Sequence, residues 1–205
     1  MRLRDLELRS PEGKCLLHFS DLILEKGQPI WLKGVSGLGK TTLLKALAGF
    51  WPYGNGEIIM GTGKKVFLPQ RPYFPLDSFK NALCYPENPA NFSEEQVMKA
   101  LKAVGMEDSI ELLKKDEMET YRMSQFSGGE QQRLALARLI LLKPDWVFLD
   151  EATSALDIEA EEKIFEKLRI ILPEAVFVLI AHRKPHGLGD YVQFNLTPVE
   201  IQCLS

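Results

Sequence analysis

Residues Pro29 to Gly49, PIWLKGVSGLGKTTLLKALAG, decide the fold. Within them IWLK (Ile30 to Lys33) reads as a short buried strand. The next eight residues, Gly34 to Thr41 (GVSGLGKT), match G-x-x-x-x-G-K-[ST] at every fixed position, and TLLKALAG continues as a helix. A strand feeding a glycine-rich turn and then a helix is a phosphate cradle. Its glycines let backbone N–H groups converge on phosphate oxygens, and the helix N-terminus adds positive potential. Lys40 supplies a point charge to the β- and γ-phosphates, and the Thr41 hydroxyl can ligate Mg²⁺. The expected ligand is a nucleoside triphosphate with magnesium.

Outward from this unit, KVFLPQ (65–70), DWVFLDE (145–151) and VFVLIAH (176–182) are further short apolar runs rich in β-branched and aromatic residues. With IWLK they read as four buried strands separated by helical patterns, the alternation of a parallel sheet with crossover helices. At the N-terminus, LRDLELRS (3–10) and CLLHFSDLILEKG (15–27) alternate as an antiparallel lead-in. Between Pro75 and Phe126 the strand signal disappears. A capping-box pattern, SEEQ at Ser93 to Gln96, then opens a helix through Val97, Leu101 and Val104. The expectation is one mixed α/β domain over residues 1–205, with an ATP-binding-type core at 1–75 and 127–205 and an inserted helical subdomain at 76–126.

Composition agrees with a single cored domain of 205 residues, and 45% hydrophobic residues with 26% charged is ordinary for a water-soluble fold. The net charge of -3 lacks the basic excess that a phosphate-backbone partner demands, so no nucleic acid is expected. Cys15, Cys84 and Cys203 are odd in number, far apart and outside any metal-ligand spacing, and read as reduced packing residues. Apolar runs such as VFVLIA (176–181) are far shorter than the roughly 20 residues a membrane helix needs, so neither a membrane span nor a secretion signal is expected.

Ligands of open parallel sheets sit beyond the carboxyl ends of the strands. Asp150 and Glu151 end one strand, and they land beside the phosphate loop if their strand and IWLK are neighbours. Asp150 is placed to hold Mg²⁺ and Glu151 to polarise the water that attacks the γ-phosphate; two such acids can also simply open a loop or favour the next helix. Gln70 and His182 end two other strands, so all four strands finish in a residue able to touch phosphate, metal or water. A second helix start follows at Ser127. There Ser127 and Glu130 stand in the capping-box relation, while Gly128 and Gly129 leave the first amides unobstructed. Leu134, Leu136, Ala137, Leu139, Ile140 and Leu141 make this helix apolar on nearly every face, hence buried and rigid. From physics alone it is as readily an ordinary capped core helix as a second anion site.

The ordered set GVSGLGKT, LPQRP, FSGGEQQR, VFLDE, SALD and AHR resembles the ATP-binding-cassette ATPases over nearly the whole chain. The resemblance implies a P-loop ATPase that binds ATP and Mg²⁺ and hydrolyses ATP as a head-to-tail dimer with a second copy of the domain. Gly34, Val35, Ser36, Gly37, Leu38, Gly39, Lys40, Thr41 and Thr42 would wrap the triphosphate, and Gln70 would sense Mg²⁺ and the γ-phosphate. Thr41, Gln70 and Asp150 would be the metal residues, and Glu151, His182, Lys40 and Gln70 the catalytic ones. Ser127, Gly128 and Gly129 would contact the partner copy's γ-phosphate, with Asp157 of SALD at the dimer seam.

Two departures stand out. Where the family stacks adenine on an aromatic residue, this chain has ELRSPEG with Arg9 and Ser10, and a guanidinium can also stack on a base. The signature opens with Phe126 where leucine is commoner. The segment LAGFWPYGNG with FLPQRPY and LCYP looks like the cassette of half-size exporters of the peroxisomal fatty-acyl type and their bacterial fused permease-ATPase relatives. This implies a transmembrane permease partner on the same full-length polypeptide and a place at the cytoplasmic face of a membrane. Tyr73, Phe74 and Phe79 of RPYFPLDSF are then either an exposed docking patch or buried against the helical subdomain. The competing reading is a soluble cassette protein acting as a nucleotide-dependent clamp in translation or DNA maintenance.

Overall fold

A computed structural model of the protein describes residues 1–24, 28–114 and 125–196. Strands β1 (Arg2–Arg9) and β2 (Cys15–Ile23) pair antiparallel. The remaining strands are β3 (Ile30–Lys33), β4 (Gly54–Ile59), β5 (Lys65–Leu68), β6 (Trp146–Asp150), β7 (Val176–Ile180) and β8 (Val192–Asn195). A three-stranded sheet has the order β2-β1-β4, and a five-stranded sheet the order β5-β6-β7-β3-β8. Every pairing in the larger sheet is parallel. The α/β class, with an antiparallel N-terminal sheet, is as expected. Cys203 and residues 115–124 of the expected helical region lie outside the described residues.

The helices are α1 (Lys40–Ala48), α2 (Phe79–Cys84), α3 (Glu94–Ala103), α4 (Gly128–Leu142) and α5 (Ile158–Ile171). They explain why the central strands read as continuous apolar runs. On β6 and β7, Trp146, Phe148, Val176, Val178 and Ile180 face α1 and the antiparallel sheet. Val147, Leu149, Phe177 and Leu179 face the side packed by α2 to α5. Strands covered on both faces need no polar alternation. Helix α4 carries Leu134, Leu136, Ala137 and Leu139 at complete burial. A Phe148→Ala change in this layer would cost about 3–5 kcal/mol.

One condition set by the sequence is not met, and two further points differ from expectation. Asp150 and Glu151 were to lie beside the phosphate loop if β3 and β6 were neighbours, whereas β7 lies between them. The sequence reading omits β4 and β8: β8 is a four-residue edge strand with three exposed positions, and β4 opens with two glycines in GNGEII. Finally, helix begins at Phe79, well ahead of the capping box at Ser93, because Ser78 caps the short α2 by accepting from the Asn81 N–H. The box itself is present in full: Ser93 Oγ accepts from Gln96 N–H, and Gln96 Oε1 accepts from Ser93 N–H at 2.8 Å. Among the described residues no helix is long and apolar enough to cross a membrane.

Candidate active site at the carboxyl edge of the sheet

Because all five strands of the larger sheet run parallel, the residues that follow them collect on one edge. The turn between β3 and α1 holds the phosphate loop. Gly39 caps α1 with φ 83° and a Cβ there would lie 3.2 Å from Leu17, so both conformation and close approach demand glycine. At Gly34 a Cβ would meet the Leu196 carbonyl oxygen at 2.9 Å. Lys40 folds back over the loop, its Nζ donating to the carbonyls of Gly34 (2.8 Å) and Val35 (2.9 Å). These are weak neutral partners for an ammonium, which leaves the lysine free to transfer to a stronger anion.

Although β7 separates β3 from β6, the first turn of α1 leans across the gap. The Thr41 hydroxyl donates to Asp150 Oδ1 at 3.0 Å. Burial raises the Asp150 pKa; the Thr41 hydrogen bond opposes this and the neighbouring Glu151 charge adds to it. A desolvated carboxylate beside a hydroxyl offers two hard oxygen ligands, with the Lys45 and Lys40 charges nearby. No group of three or more His, Cys, Asp or Glu among the described residues could hold a metal. The pair therefore fits Mg²⁺ of the kind that keeps its waters and is held by one carboxylate together with substrate phosphates.

Glu151 follows with φ 53°, a left-handed conformation unusual for a glutamate. Its N–H donates to Ile180 O and its carbonyl accepts from Ser154 N–H, both at 3.0 Å, so the turn is held from two sides. This turn delivers Glu151 Oε2 to 2.9 Å from His182 Nε2. Glu151 is largely buried while His182 is exposed, 19% against 76% of the side chain. Gln70, two residues past β5, completes the row of strand ends. The structure thus brings Thr41 to Asp150 and Glu151 to His182.

Ser127, Gly128 and Gly129 are placed elsewhere. No hydrogen bond among the described residues joins them to Gly34–Thr42. Ser127 Oγ accepts from Glu130 N–H, and Glu130 Oε2 accepts from Ser127 N–H at 2.7 Å and from the Ser127 hydroxyl at 2.6 Å. These bonds, the hydroxyl first, hold the Glu130 carboxyl below its usual pKa. With Arg133 and Asp157 the helix tip borders an open cavity of about 440 Å³. Asp157 itself caps α5, its Oδ1 accepting from Ala160 N–H at 2.8 Å, and that bond lowers its pKa. A cavity of about 820 Å³ lies at the opposite sheet edge between Pro29, Leu172 and Val176, and none of the candidate groups lines it. A phosphate loop binds through backbone amides at a shallow surface, so volume is a poor guide here.

Three functional candidates escaped the sequence reading. Gln132 and Arg138 are buried polar residues of α4, and Arg183 donates to Leu156 O at 2.6 Å and to the buried Glu161. For two of them a signal was available as a polar residue on an apolar helical stripe: Gln132 precedes Leu136 and Leu139, and Arg138 lies between Leu134 and Leu142. The aromatics after β5 divide between the two expectations. Phe79 is buried and Phe74 packs on the core, whereas Tyr73 is 63% and Leu76 78% exposed.

The family described as ABC transporter matches residues 17–154. An uncharacterized ABC transporter ATP-binding protein of Haemophilus influenzae is 39% identical over 180 residues, covering 88% of this chain but 30% of its own length. ABC transporter D family member 1 of Arabidopsis thaliana is 34% identical over 197 residues, 87% of this chain and 14% of that protein. Among solved structures, a bacterial Atm1-family ABC exporter with ATP bound superposes with a TM-score of 0.76 at 26% identity, over 89% of this chain and 34% of that one. The chain thus spans between 14% and 34% of the length of these relatives.

Proposed function

We propose, since this chain belongs to the ABC transporter family, that it is the ATP-hydrolysing motor of a membrane transporter and works as a head-to-tail pair of copies. One observation carries the reading: the Thr41–Asp150 and Glu151–His182 pairs stand at one sheet edge beside the phosphate loop. In this reading residues 1–75 and 127–205 form the ATP-binding core and 76–126 a helical subdomain.

ATP is the substrate. Backbone amides of Gly34 to Thr42 cradle its phosphates, and Lys40 leaves the Gly34 and Val35 carbonyls for the β- and γ-phosphates. Thr41, Asp150 and Gln70 would hold Mg²⁺, which when bound would neutralise charge developing on the phosphate oxygens. Glu151 orients and polarises the attacking water, and His182, hydrogen-bonded to it, clamps the γ-phosphate from the next strand end.

Ser127 and Gly129 line a separate cavity with Asp157, with Gly128 between them in the chain, a geometry suited to a nucleotide held by the other copy. ATP then joins two halves, and its hydrolysis releases them. The exposed Tyr73 and Leu76 mark the side offered to a transmembrane permease, carried on the same polypeptide in this reading. The motor would sit at the cytoplasmic face, of the inner membrane in a bacterium. The transporter names of the relatives favour this over a soluble clamp.

The test is assembly. With Mg²⁺ and ATP the Glu151→Gln chain should elute as a dimer, and adding Ser127→Arg should return it to monomer. A chain that stays monomeric with Mg²⁺-ATP, or a dimer indifferent to Ser127→Arg, overturns the head-to-tail arrangement.

A further inference from the structure

Gln132 lies on α4, five residues beyond Ser127, and is 3% exposed in a helix whose other buried positions are mostly aliphatic. A carboxamide in such a place is costly unless its polar atoms are used. Here they are. Gln132 Nε2 donates to the Gln70 carbonyl at 3.1 Å and to Ser154 Oγ at 3.2 Å, and the Glu151 carbonyl lies at the hydrogen-bond limit of 3.5 Å. Gln132 Oε1 accepts from Ala155 N–H at 2.9 Å. Since a backbone N–H can only donate, that last bond fixes which way the amide points.

One side chain therefore joins the segment after β5, the turn after β6 and the approach to α5. Each carries a residue of the proposed chemistry: Gln70, Glu151 and Asp157. The Glu151 turn is the one that needs such support, because its left-handed backbone persists only where surrounding bonds over-determine it. The same α4 presents Ser127 at its tip, through a capping box that leaves little rotational freedom.

We propose that Gln132 is a positioning residue: its buried amide locks the Gln70 and Glu151 loops to the helix whose tip meets the partner copy's nucleotide. Gln132 touches no reacting atom. It holds Glu151 and Gln70 where the water and metal are to be, so that engagement of the helix tip and readiness of the chain's own hydrolytic edge are one mechanical state. The inference rests on the proposed roles of Glu151 and Gln70.

Gln132→Met keeps the length of the side chain and removes every hydrogen bond. Its kcat for ATP should fall about 10–100-fold, with KM for ATP within about twofold, because the Gly34–Thr42 loop is not among its contacts. Ser154→Ala, at an exposed position that will not compromise folding, removes one acceptor and should lower kcat about threefold in the same pattern. Hydrogen exchange of the nucleotide-free chain supplies a readout independent of turnover. Amides of residues 151–157 should exchange at least about tenfold faster in Gln132→Met, with residues 34–42 unchanged. If wild type turns over no ATP, the proposed function falls, while exchange still decides the inference. Unchanged exchange at 151–157, or a kcat held constant while KM rises, overturns it; if Gln132→Met does not fold, Ser154→Ala with wild-type kcat and exchange does the same.

Discussion

His182 Nε2 stands 2.9 Å from Glu151 Oε2, joining the ends of the adjacent strands β7 and β6. Glu151→Gln preserves the size of the side chain and its oxygen for His182 but cannot take a proton from water. Steady-state ATP turnover should fall about 10²–10⁴-fold, while equilibrium ATP binding changes less than about threefold. Wild-type turnover in this variant would remove Glu151 from the reaction.

His182→Ala leaves the carboxylate in place without its partner, so a loss of about 10–100-fold is expected. The two residues share one hydrogen bond, and groups acting as a unit are not additive. The double variant should therefore lie within about threefold of Glu151→Gln alone. Multiplying losses in the kinetic comparison would mean that the two act separately.

Asp150 gives a pH prediction. Its pKa is raised, chiefly by burial, so the folded state binds this proton more tightly than the unfolded chain does. The associated stability is fully present below the unfolded value of about 4 and is lost as pH rises through the raised folded value. At neutral pH the ionised carboxylate is thus a cost that a cation would relieve. Asp150→Asn should melt above wild type by roughly 2–4 °C at pH 7 and show no gain near pH 4, without nucleotide. Mg²⁺-ATP should stabilise wild type and do so less for the variant. A gain independent of pH would assign the effect to something other than this carboxylate.

What could be read from the sequence divides by distance along the chain. The phosphate loop and the Ser127–Glu130 box are contiguous, so spacing and local chemistry specify them completely. Asp150, Glu151 and His182 were legible because apolar runs announce strands, and parallel strands share an edge. Strand order was not, since nothing in IWLK or WVFLD says that β7 separates them. Gln132 and Arg138 show in the sequence only as polar residues on an apolar stripe; what they hold was not legible, because their partners, Gln70 and Tyr73, lie 62 and 65 residues away and hydrophobic periodicity carries no information about such contacts. The edge strand β8 was not legible because a four-residue run with three exposed positions has no pattern that distinguishes it from a loop.

Arg138 illustrates what long-range polar contacts contribute. Its guanidinium donates to Tyr73 O at 2.7 Å and Ala82 O at 2.6 Å, and lies 4.1 Å over the Phe74 ring. Its Nε is the one buried side-chain nitrogen or oxygen without a hydrogen bond among the described residues, and burial pushes the pKa down to about 10. An ammonium cannot span two carbonyls and stack at once. Arg138→Lys should cost about 1–3 kcal/mol in urea melts and loosen the segment that bears Tyr73 and Leu76. A melt unchanged from wild type would show that desolvation of the guanidinium cancels its hydrogen bonds.

The proposed head-to-tail pairing makes a prediction that no single-copy site can meet. Lys40→Ala damages the phosphate loop of its own copy, and Ser127→Arg damages the helix tip offered to the other; each alone should abolish turnover in its homodimer. Mixed, they form dimers in which one site joins the intact loop of the Ser127→Arg copy to the intact tip of the Lys40→Ala copy. Turnover should return to about a quarter of the wild-type rate, because half of the dimers are mixed and each has one intact site of two. If loop and tip served the same copy's nucleotide, both subunits of the mixed dimer would be defective and mixing would restore nothing. The rate of the equimolar mixture against each variant alone decides between these geometries; the reason to expect recovery is that the cavity beside the Ser127 tip has no residue of the Gly34–Thr42 loop in its lining.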